Sequence, residues 1–494
     1  REIAHDLGVA PGMVIVKCTS HSQTWTVYHR STTGTHVGKL NLTNAFQDAN
    51  YAWNDTDPTS TEFTVGITNV NQSGGTYVAY LFAHDPDGEN DDGMISCGSY
   101  AANGSTTGPV INLGWEPQFL LLKKATGGTG NWDMIDTMRG WDKSYATGFY
   151  RWVRANESEG ESSNAAIEIM QDGFRIHDLG VGNQTGATYI YMAIRAPMMK
   201  EPEAGTEVFA VGTGDGTPLP YYTSGFPVDM AFHKVITSSA NPFTLGSRLI
   251  QGKGLVTSST AAEFTESDQQ YGYMDGWNNE TSTSSSKYSW MFKRAKGFMD
   301  VVAYSGDNTT NPKKHSLGVV PEMMIVKNRD ISQDWGVYHA AIGNTNKLYL
   351  NRTDDSTGGW WNSTTPTASE FTLSATDAVN GNYDYIAYLF ATLAGVSKVG
   401  SYTGTSAAHT VDCGFSNGAR FVLIKGTNHG SNWMLFDSTR GITSGNDALL
   451  QLNETEAESS ANYLDPHSSG FAFTSSSAGS TNLSGREYIF LAIA

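Results

Sequence analysis

Cysteine is scarce in this sequence, and its scarcity excludes two ways of holding a domain together. The 494 residues include only Cys18, Cys97 and Cys413, and no C-x-x-C pair occurs. A disulfide framework or a zinc cluster needs several cysteines at regular spacing. We therefore expect neither of them, and no motif in the sequence demands any other cofactor.

Positive charge is also in short supply. The chain has 31 Lys and Arg residues against 49 Asp and Glu residues, which gives a net charge of −18 that is spread along its length. Without a basic stripe, the chain is not expected to bind nucleic acid or an anionic membrane by charge attraction. No apolar run approaches the ~20 residues that span a bilayer, so we predict no membrane insertion.

Runs of helix-forming residues at helical spacing are missing as well. The sequence is instead rich in Gly, Ser, Thr, Asn and aromatic residues, and its apolar residues alternate or form short runs between turn residues. This composition favours short strands joined by turns. The predicted class is all-β.

What the sequence does contain is internal repetition. Residues 7–17 (LGVAPGMVIVK) return as residues 317–327 (LGVVPEMMIVK), and both copies continue at the same spacing into WTVYH (25–29) and WGVYH (335–339). More diverged copies combine FLLLK with WDMID at 119–136 and FVLIK with WMLFD at 421–437. Similar tyrosine-rich segments close the units at 77–82, 189–194, 288–292, 385–390 and 488–493. Five units of about one domain length each therefore follow in the order A, B, C, A, B.

The repeats predict the domain boundaries, because a chain of this length is too long for a single hydrophobic core. We predict a tandem array of five β-sandwich, jelly-roll-like domains that form an elongated rod. Their predicted bounds are residues 1–90, 91–200, 201–296, 297–394 and 395–494. The tyrosine-containing strand that precedes the other copies, at Tyr100, Tyr304 and Tyr402, is absent before Arg1. The first domain is therefore expected to lack its N-terminal strand.

Several of these motifs resemble a family of tail-fibre-like and other virion-associated proteins of marine bacteriophages. The motifs that carry the resemblance are LGVVPEMMIVK (317–327), WGVYH (335–339), YIYMAIR (189–195) and GFPVDM (225–230). The resemblance implies tandem domains in a protein displayed on the virion surface, with host attachment as the usual role. Its motifs are fold-forming and turn-forming residues and include no reaction centre, so this is an argument from fold analogy.

The strand that begins with tryptophan provides the candidate ligand contacts. An aromatic ring beside a polar group on one strand face is the kind of surface on which sugars stack. Apolar positions that recur at strand spacing also mark a domain core, in which case these side chains would be buried. The candidate residues are Trp25 with His29, Trp335 with His339, Trp132 with Asp136, and Trp433 with Asp437.

Acidic residues suggest three further interpretations. The pair of Asp136 with Arg139, which recurs as Asp437 with Arg440, could clamp a turn or hold an acidic ligand, and its recurrence favours the clamp. Acidic loops at 156–161 and 453–458 raise the alternative of glycoside hydrolysis, but carboxylates on one exposed loop do not meet its geometric demands. A calcium site is a candidate at the oxygen-rich segment 85–93, although its spacing departs from that of a calcium loop. Its ligands would be Asp85, Asp87, Asp91 and Asp92.

Together these observations favour a non-enzymatic structural virion protein, a fibre or surface projection of a phage that contributes to host-surface attachment. The expected partners are other virion subunits, including copies of the same chain, and a host cell-surface glycan. The expected location is the virion surface, outside the cell. The alternatives are a secreted carbohydrate-binding adhesin, in which linked weak sites gain avidity, or a polysaccharide depolymerase.

Overall fold

The computed structural model describes residues 1–84, 93–141, 151–163, 167–177, 180–196, 201–214, 219–266, 268–279, 284–474 and 480–494. The chain divides into two compact units, residues 1–198 and 199–494. Antiparallel strands make up nearly all the regular structure of the described residues. The prediction of an all-β chain of tandem sandwich-like domains is confirmed.

Each of five consecutive segments builds one large sheet and one small sheet, and we call these segments modules 1 to 5. Module 1 contains β1 (Glu2–Ala4), β2 (Pro11–Cys18), β3 (Thr26–His29), β4 (His36–Lys39), β5 (Gln47–Asp48), helix α1 (Asn50–Trp53), β6 (Glu62–Thr64), a 3₁₀ turn at Thr68–Val70 and β7 (Tyr77–Ala83). Its large sheet has the strand order β5-β4-β3-β2-β7, and β1 pairs with β6 in the small sheet.

Module 2 shares the first unit with module 1 and has six strands in its large sheet. Its strands are β8 (Ile95–Ala101), β9 (Val110–Asn112), β10 (Pro117–Lys124), β11 (Trp132–Asp136), β12 (Arg151–Arg154), β13 (Ser162–Ser163), β14 (Ile167–Met170), β15 (Gly173–Ile176) and β16 (Thr188–Arg195). The large sheet has the order β13-β12-β11-β10-β16-β8, and β14-β15-β9 form the small sheet.

Module 3 opens the second unit. It comprises a 3₁₀ turn at Gly205–Glu207, β17 (Phe209–Gly214), β18 (Tyr222–Thr223), β19 (Met230–Val235), β20 (Thr244–Ser247), a 3₁₀ turn at Arg248–Ile250, β21 (Lys253–Val256), β22 (Phe264–Thr265), β23 (Gly276–Trp277) and β24 (Ser284–Phe292). The large sheet is ordered β17-β24-β19-β20-β21-β22, and the small sheet pairs β18 with β23.

Modules 4 and 5 repeat this plan. Module 4 has β25 (Met299–Ser305), β26 (Lys313–Lys314), β27 (Met323–Asn328), β28 (Gly336–His339), a 3₁₀ turn at Ala340–Ile342, β29 (Asn346–Tyr349), β30 (Thr357–Gly358), β31 (Glu370–Phe371) and β32 (Asp384–Phe390). Module 5 has β33 (Ser397–Thr403), β34 (His409–Asp412), β35 (Phe421–Gly426), β36 (Met434–Asp437), β37 (Asp447–Gln451), β38 (Ser459–Ala461), β39 (Asp465–His467), β40 (Gly470–Phe473) and β41 (Glu487–Ile493). Their large sheets are β25-β32-β27-β28-β29-β30 and β33-β41-β35-β36-β37-β38.

The edge of the large sheet distinguishes module 1 from the other four. In modules 2 to 5 the first strand pairs along the outer edge of the last strand, as β25 does in register with β32, where Tyr304 lies opposite Tyr385. In module 1 the last strand, β7, is itself the edge of the sheet among the described residues. Its outer backbone donors and acceptors therefore have no partner strand there.

The central strands of the large sheets are buried on both faces. In β2, Val14 and Val16 point into the core of module 1, where they pack near Tyr28 and Trp53. The alternate residue Ile15 joins a second cluster with Trp132 of module 2. Because successive side chains of a strand point to opposite faces, a strand covered on both sides is apolar throughout, as the run MVIV is. One face of each sheet closes its own sandwich, and the other is available to a neighbouring module.

Candidate functional site: the contacts between modules

The recurring tryptophan lies at a contact between two modules. Trp132, Trp335 and Trp433 are fully buried. Each indole Nε1 donates a hydrogen bond to a backbone carbonyl of the preceding module: Trp132 to Lys39 at 2.9 Å, Trp335 to Val256 at 3.1 Å and Trp433 to Tyr349 at 2.8 Å. A ring enclosed in this way offers no surface to a sugar, so the sugar-stacking interpretation is wrong for these three residues.

A lysine at the end of the preceding strand strengthens the same contact. The Nζ atoms of Lys123, Lys327 and Lys425 donate to the carbonyls of Thr43, Thr260 and Thr353 of the neighbouring module at 2.9–3.0 Å. Lys234 does the same toward Thr455 at 2.9 Å. Burial lowers the pKa of all four ammonium groups to about 8, because desolvation disfavours the charged form.

The polar residue that follows the tryptophan by four positions reaches the next module. His29 donates from Nε2 to the carbonyl of Tyr191 at 3.0 Å, and Asp437 accepts from the indole Nε1 of Trp290 at 2.9 Å. His339 faces the carbonyl of Phe490 but lies outside good hydrogen-bond geometry. All three side chains are almost completely buried, which contradicts their assignment as ligand contacts. They hold modules together instead.

These contacts close a ring in the second unit. Module 4 receives the carbonyl of Thr260 from module 3, module 5 receives that of Thr353 from module 4, and module 3 receives that of Thr455 from module 5. At the meeting point, the ring of Phe292 lies 6.1 Å from Phe390 and 5.8 Å from Phe421, centroid to centroid. Three modules therefore cover one another in a cycle, which we call the three-module ring.

The first unit contains one such contact, between modules 1 and 2. Trp25 is only partly buried there, and it stacks on Tyr80 at 6.5 Å between centroids. Tyr80 is 47% exposed, whereas its counterpart Tyr388 in the ring is 0% exposed. Among the eight candidate residues, Trp25 and Asp136 are the two that stay partly exposed, and Trp25 packs at the margin of the apolar cluster that joins modules 1 and 2.

The aspartate–arginine pair shows the same contrast. Asp136 and Arg139 form an ion pair at 2.7 Å with side chains 19% and 35% exposed, and Asp437 and Arg440 form one at 2.6 Å with side chains 0% and 1% exposed. Each aspartate also accepts the backbone N–H of its arginine, at 2.8 and 2.9 Å. The turn clamp is confirmed in both copies, and in module 5 the ring of Trp290 covers it with its centroid 5.2 Å from the Arg440 guanidinium carbon.

The remaining candidates give no site in the described part of the chain. Asp85, Asp87, Asp91 and Asp92 lie outside the described residues. Among the residues that the structure describes, no group of three or more His, Cys, Asp or Glu side chains is arranged to hold a metal ion. The acidic loops pair with arginines: Glu159 with Arg154 at 3.0 Å, and Glu458 with Arg440 at 2.8 Å. No helix in the described ranges combines the length and apolar character needed to cross a membrane.

The four buried lysines are not among the residues that the sequence predicts to be functional. A signal was present, because a lysine closes the corresponding strand of every module, at Lys17, Lys123, Lys234, Lys327 and Lys425. A charged residue that recurs after a run of core residues indicates a specific partner, since an unpaired buried charge is costly. The partners are backbone carbonyls, which any sequence provides and which therefore leave no motif.

The buried histidines His29 and His339 predict that acid weakens the contacts between modules. In both, Nδ1 accepts a backbone N–H, from Ser31 for His29 and from Ala341 for His339, so the neutral ring is required. Burial, the largest cause, lowers the pKa of each from 6.5 to about 4. The folded pKa is thus below the unfolded pKa, so each contribution to stability is complete above pH 6.5 and is lost as the pH falls toward 4.

We expect the unfolding free energy of the second unit to fall by about 2–3 kcal/mol between pH 7 and pH 4.5 through His339 alone. The His339→Asn variant, whose amide oxygen can accept the Ala341 N–H without titrating, is the control. Denaturant unfolding of both proteins at the two pH values measures the difference. An equal loss in wild type and variant would contradict the assignment to His339.

Comparison with known proteins identifies one family. A family model described as a domain of unknown function, DUF7483, matches residues 1–197 and, in a second match, residues 208–494. These matches correspond closely to the two compact units. A search of curated proteins finds no match. The chain belongs to the DUF7483 family along nearly its whole length.

Proposed function

We propose that this chain is a non-enzymatic structural protein of a phage virion, a fibre or surface projection that contributes to attachment to the host. The observation that carries the proposal is the use of the recurring polar residues. Lys327, His339 and Asp437, which could have served a ligand, are buried against neighbouring modules. A protein whose repeated polar side chains hold its own modules together is suited to bearing load and presenting surface loops.

The resemblance to virion-associated proteins supports the location, and the net charge of −18 suits a soluble surface without nucleic-acid contacts. Other virion subunits and a host glycan are the proposed partners. A glycan could approach the partly exposed aromatic pair of Trp25 and Tyr80, which is the observation in favour of the adhesin alternative.

The test is physical association with virus particles. Particles from a phage that encodes this chain would be purified on a density gradient and examined by peptide mass spectrometry and by immunogold electron microscopy. We expect peptides of the chain to band with infectious particles and gold to label a projection. Recombinant protein is expected to reduce adsorption of the phage to its host. Recovery of the chain only in the soluble fraction, away from particles, would overturn the proposal.

A further inference from the structure

Module 1 has the donor residues of a contact between modules, and their acceptors are seen in its second copy, module 4. In module 4, Trp335 donates to Val256 and Ser259, and Lys327 donates to Thr260, all three acceptors being residues of module 3. In module 1, Lys17 donates only to Gln23 of its own hairpin, and its ammonium lies 5.6 Å from the centroid of the Trp25 ring. No residue of another module takes the remaining donors of Lys17 in the described part of the chain.

Module 2 carries the opposite half. In module 5, the clamp of Asp437 and Arg440 lies under Trp290 of module 3, and the Thr455 carbonyl accepts from Lys234 of the same module. In module 2, the clamp is partly exposed, and Ser158, which corresponds to Thr455, is exposed. The surface around Asp136 and Ser158 in module 2 therefore corresponds to the surface of module 5 that module 3 covers, but among the described residues it stays partly exposed.

In the three-module ring, module 3 makes both of these contacts. Module 3 covers module 4 through its 256–260 segment, and it covers module 5 through Lys234 and Trp290. The first unit presents the same two faces on modules 1 and 2, which are already joined through Trp132 and His29. Module 3 therefore shows how a third module can cover the corresponding faces of modules 1 and 2.

The edge strand β7 has no partner strand on its outer side among the described residues. In three modules a tyrosine of the first strand stacks on a tyrosine of the last, with centroids 5.5 Å apart for Tyr100 and Tyr189, 5.2 Å for Tyr304 and Tyr385 and 5.0 Å for Tyr402 and Tyr488. The corresponding Tyr77 has no ring partner among the described residues. In the second unit, module 3 ends in β24 at Phe292 and the chain continues into β25 at Met299. A module of this type is thus joined to the strand that fills the edge.

Self-pairing of β7 between two copies does not meet this need. Residues opposite each other in an antiparallel pair point to the same face, and Tyr77 and Tyr80 point to opposite faces of β7. Tyr80 of a second copy therefore cannot stack on Tyr77, and placing Tyr77 opposite Tyr77 would leave residues 78–83 of both strands unpaired. A segment with a tyrosine near its end, as in Met299–Ser305, can.

We infer that the first unit binds a third sandwich module of the type formed by residues 205–296, which completes a second three-module ring and adds a strand to the β7 edge. The module would place backbone carbonyls on Lys17 and Trp25, an aromatic ring on the clamp of Asp136, and a tyrosine on Tyr77. Recognition is by shape, burial of apolar surface and hydrogen bonds to backbone. This inference does not depend on the virion function.

The test extends the whole chain by a copy of its own module. A copy of residues 205–310 is placed directly before Arg1, because Leu317 aligns with Leu7 and residue 311 therefore aligns with residue 1. Hydroxyl-radical footprinting then compares Trp25 and Tyr80 with and without the extension. We expect their reactivity to fall to the level of Trp335 and Tyr388 in the same molecule. Hydrogen exchange of residues 77–83 is expected to slow to the level of residues 384–390.

A second extension separates the module from the strand. A copy of residues 297–310 alone supplies the strand without module 3, and is expected to slow exchange in residues 77–83 while leaving Trp25 reactive. If the full extension also leaves Trp25 and Tyr80 reactive, the inference is overturned. It is overturned equally if the unextended chain already protects them by self-association. Protection of Trp335 and Tyr388 throughout shows that each protein is folded.

Discussion

Trp335→Ala should destabilise the second unit by about 3–5 kcal/mol, the cost of removing a large, fully buried side chain from a packed interior. The substitution leaves a cavity in the contact between modules 3 and 4 and removes the indole donor to the carbonyls of Val256 and Ser259. It also removes the ring that lies 5.9 Å from the ammonium of Lys327. The measurement is hydrogen exchange of residues 323–328 and 384–390 over a guanidinium series, which reports the opening free energy of this unit.

Trp25→Ala is the matched control, because Trp25 occupies the same position in the other A copy. Its ring is partly buried and packs on the exposed Tyr80, so its loss should cost about 1 kcal/mol, in line with a modest apolar area removed from water. Exchange of residues 11–18 gives the corresponding reading in the first unit. Equal losses in the two variants would show that the burial difference between the copies is not real in solution.

The second large effect is expected at the clamp of module 5. Asp437→Ala removes the carboxylate that pairs with Arg440 and accepts the Trp290 indole, and it leaves a guanidinium buried without that partner. Breaking a buried ion pair by removing one member typically costs about 3–5 kcal/mol. Denaturant unfolding of the second unit, followed by exchange of residues 434–437, measures the loss. Asp437→Asn retains an acceptor for Trp290 and should recover part of the stability.

Asp136→Ala provides the comparison in module 2. The side chains of Asp136 and Arg139 are partly exposed, so solvent already screens their attraction, and the expected cost is about 0–1 kcal/mol for the ion pair. Loss of the bond to the Arg139 backbone N–H adds about 1 kcal/mol. A cost as large as that of Asp437→Ala would mean that Asp136 is covered in solution by a neighbour.

The sequence was sufficient for the class of fold and for the location of the repeats. Alternating apolar residues and turn residues predict the strands. The recurring tryptophan is compatible with a core position or with sugar stacking, and the complete burial of Trp335 excludes sugar stacking there. The polar residue four positions later could not be interpreted from the sequence, because His29 and Asp437 meet a carbonyl and an indole that belong to other modules.

The cyclic arrangement of modules 3, 4 and 5 could not be predicted either. A tandem sequence shows which module follows which, but the contact of module 3 with module 5 joins residues more than 200 positions apart, such as Lys234 and Thr455. Module 3 also differs at the informative position, since Phe243 stands in place of the tryptophan and packs on Trp290 from the last strand, 5.4 Å away. In module 3 the tryptophan therefore lies on the last strand, β24, and that hides the equivalence.

The mutual covering of modules has a consequence for how such genes can change in length. In the three-module ring each module covers a face of one neighbour and is itself covered by the other. Deleting or inserting a single module would therefore expose two module faces at once. Such an intermediate would expose apolar surface and be prone to aggregation. Deleting one module of the ring should therefore leave the other two with partly exposed faces of the kind seen at Tyr80 and Asp136 in modules 1 and 2.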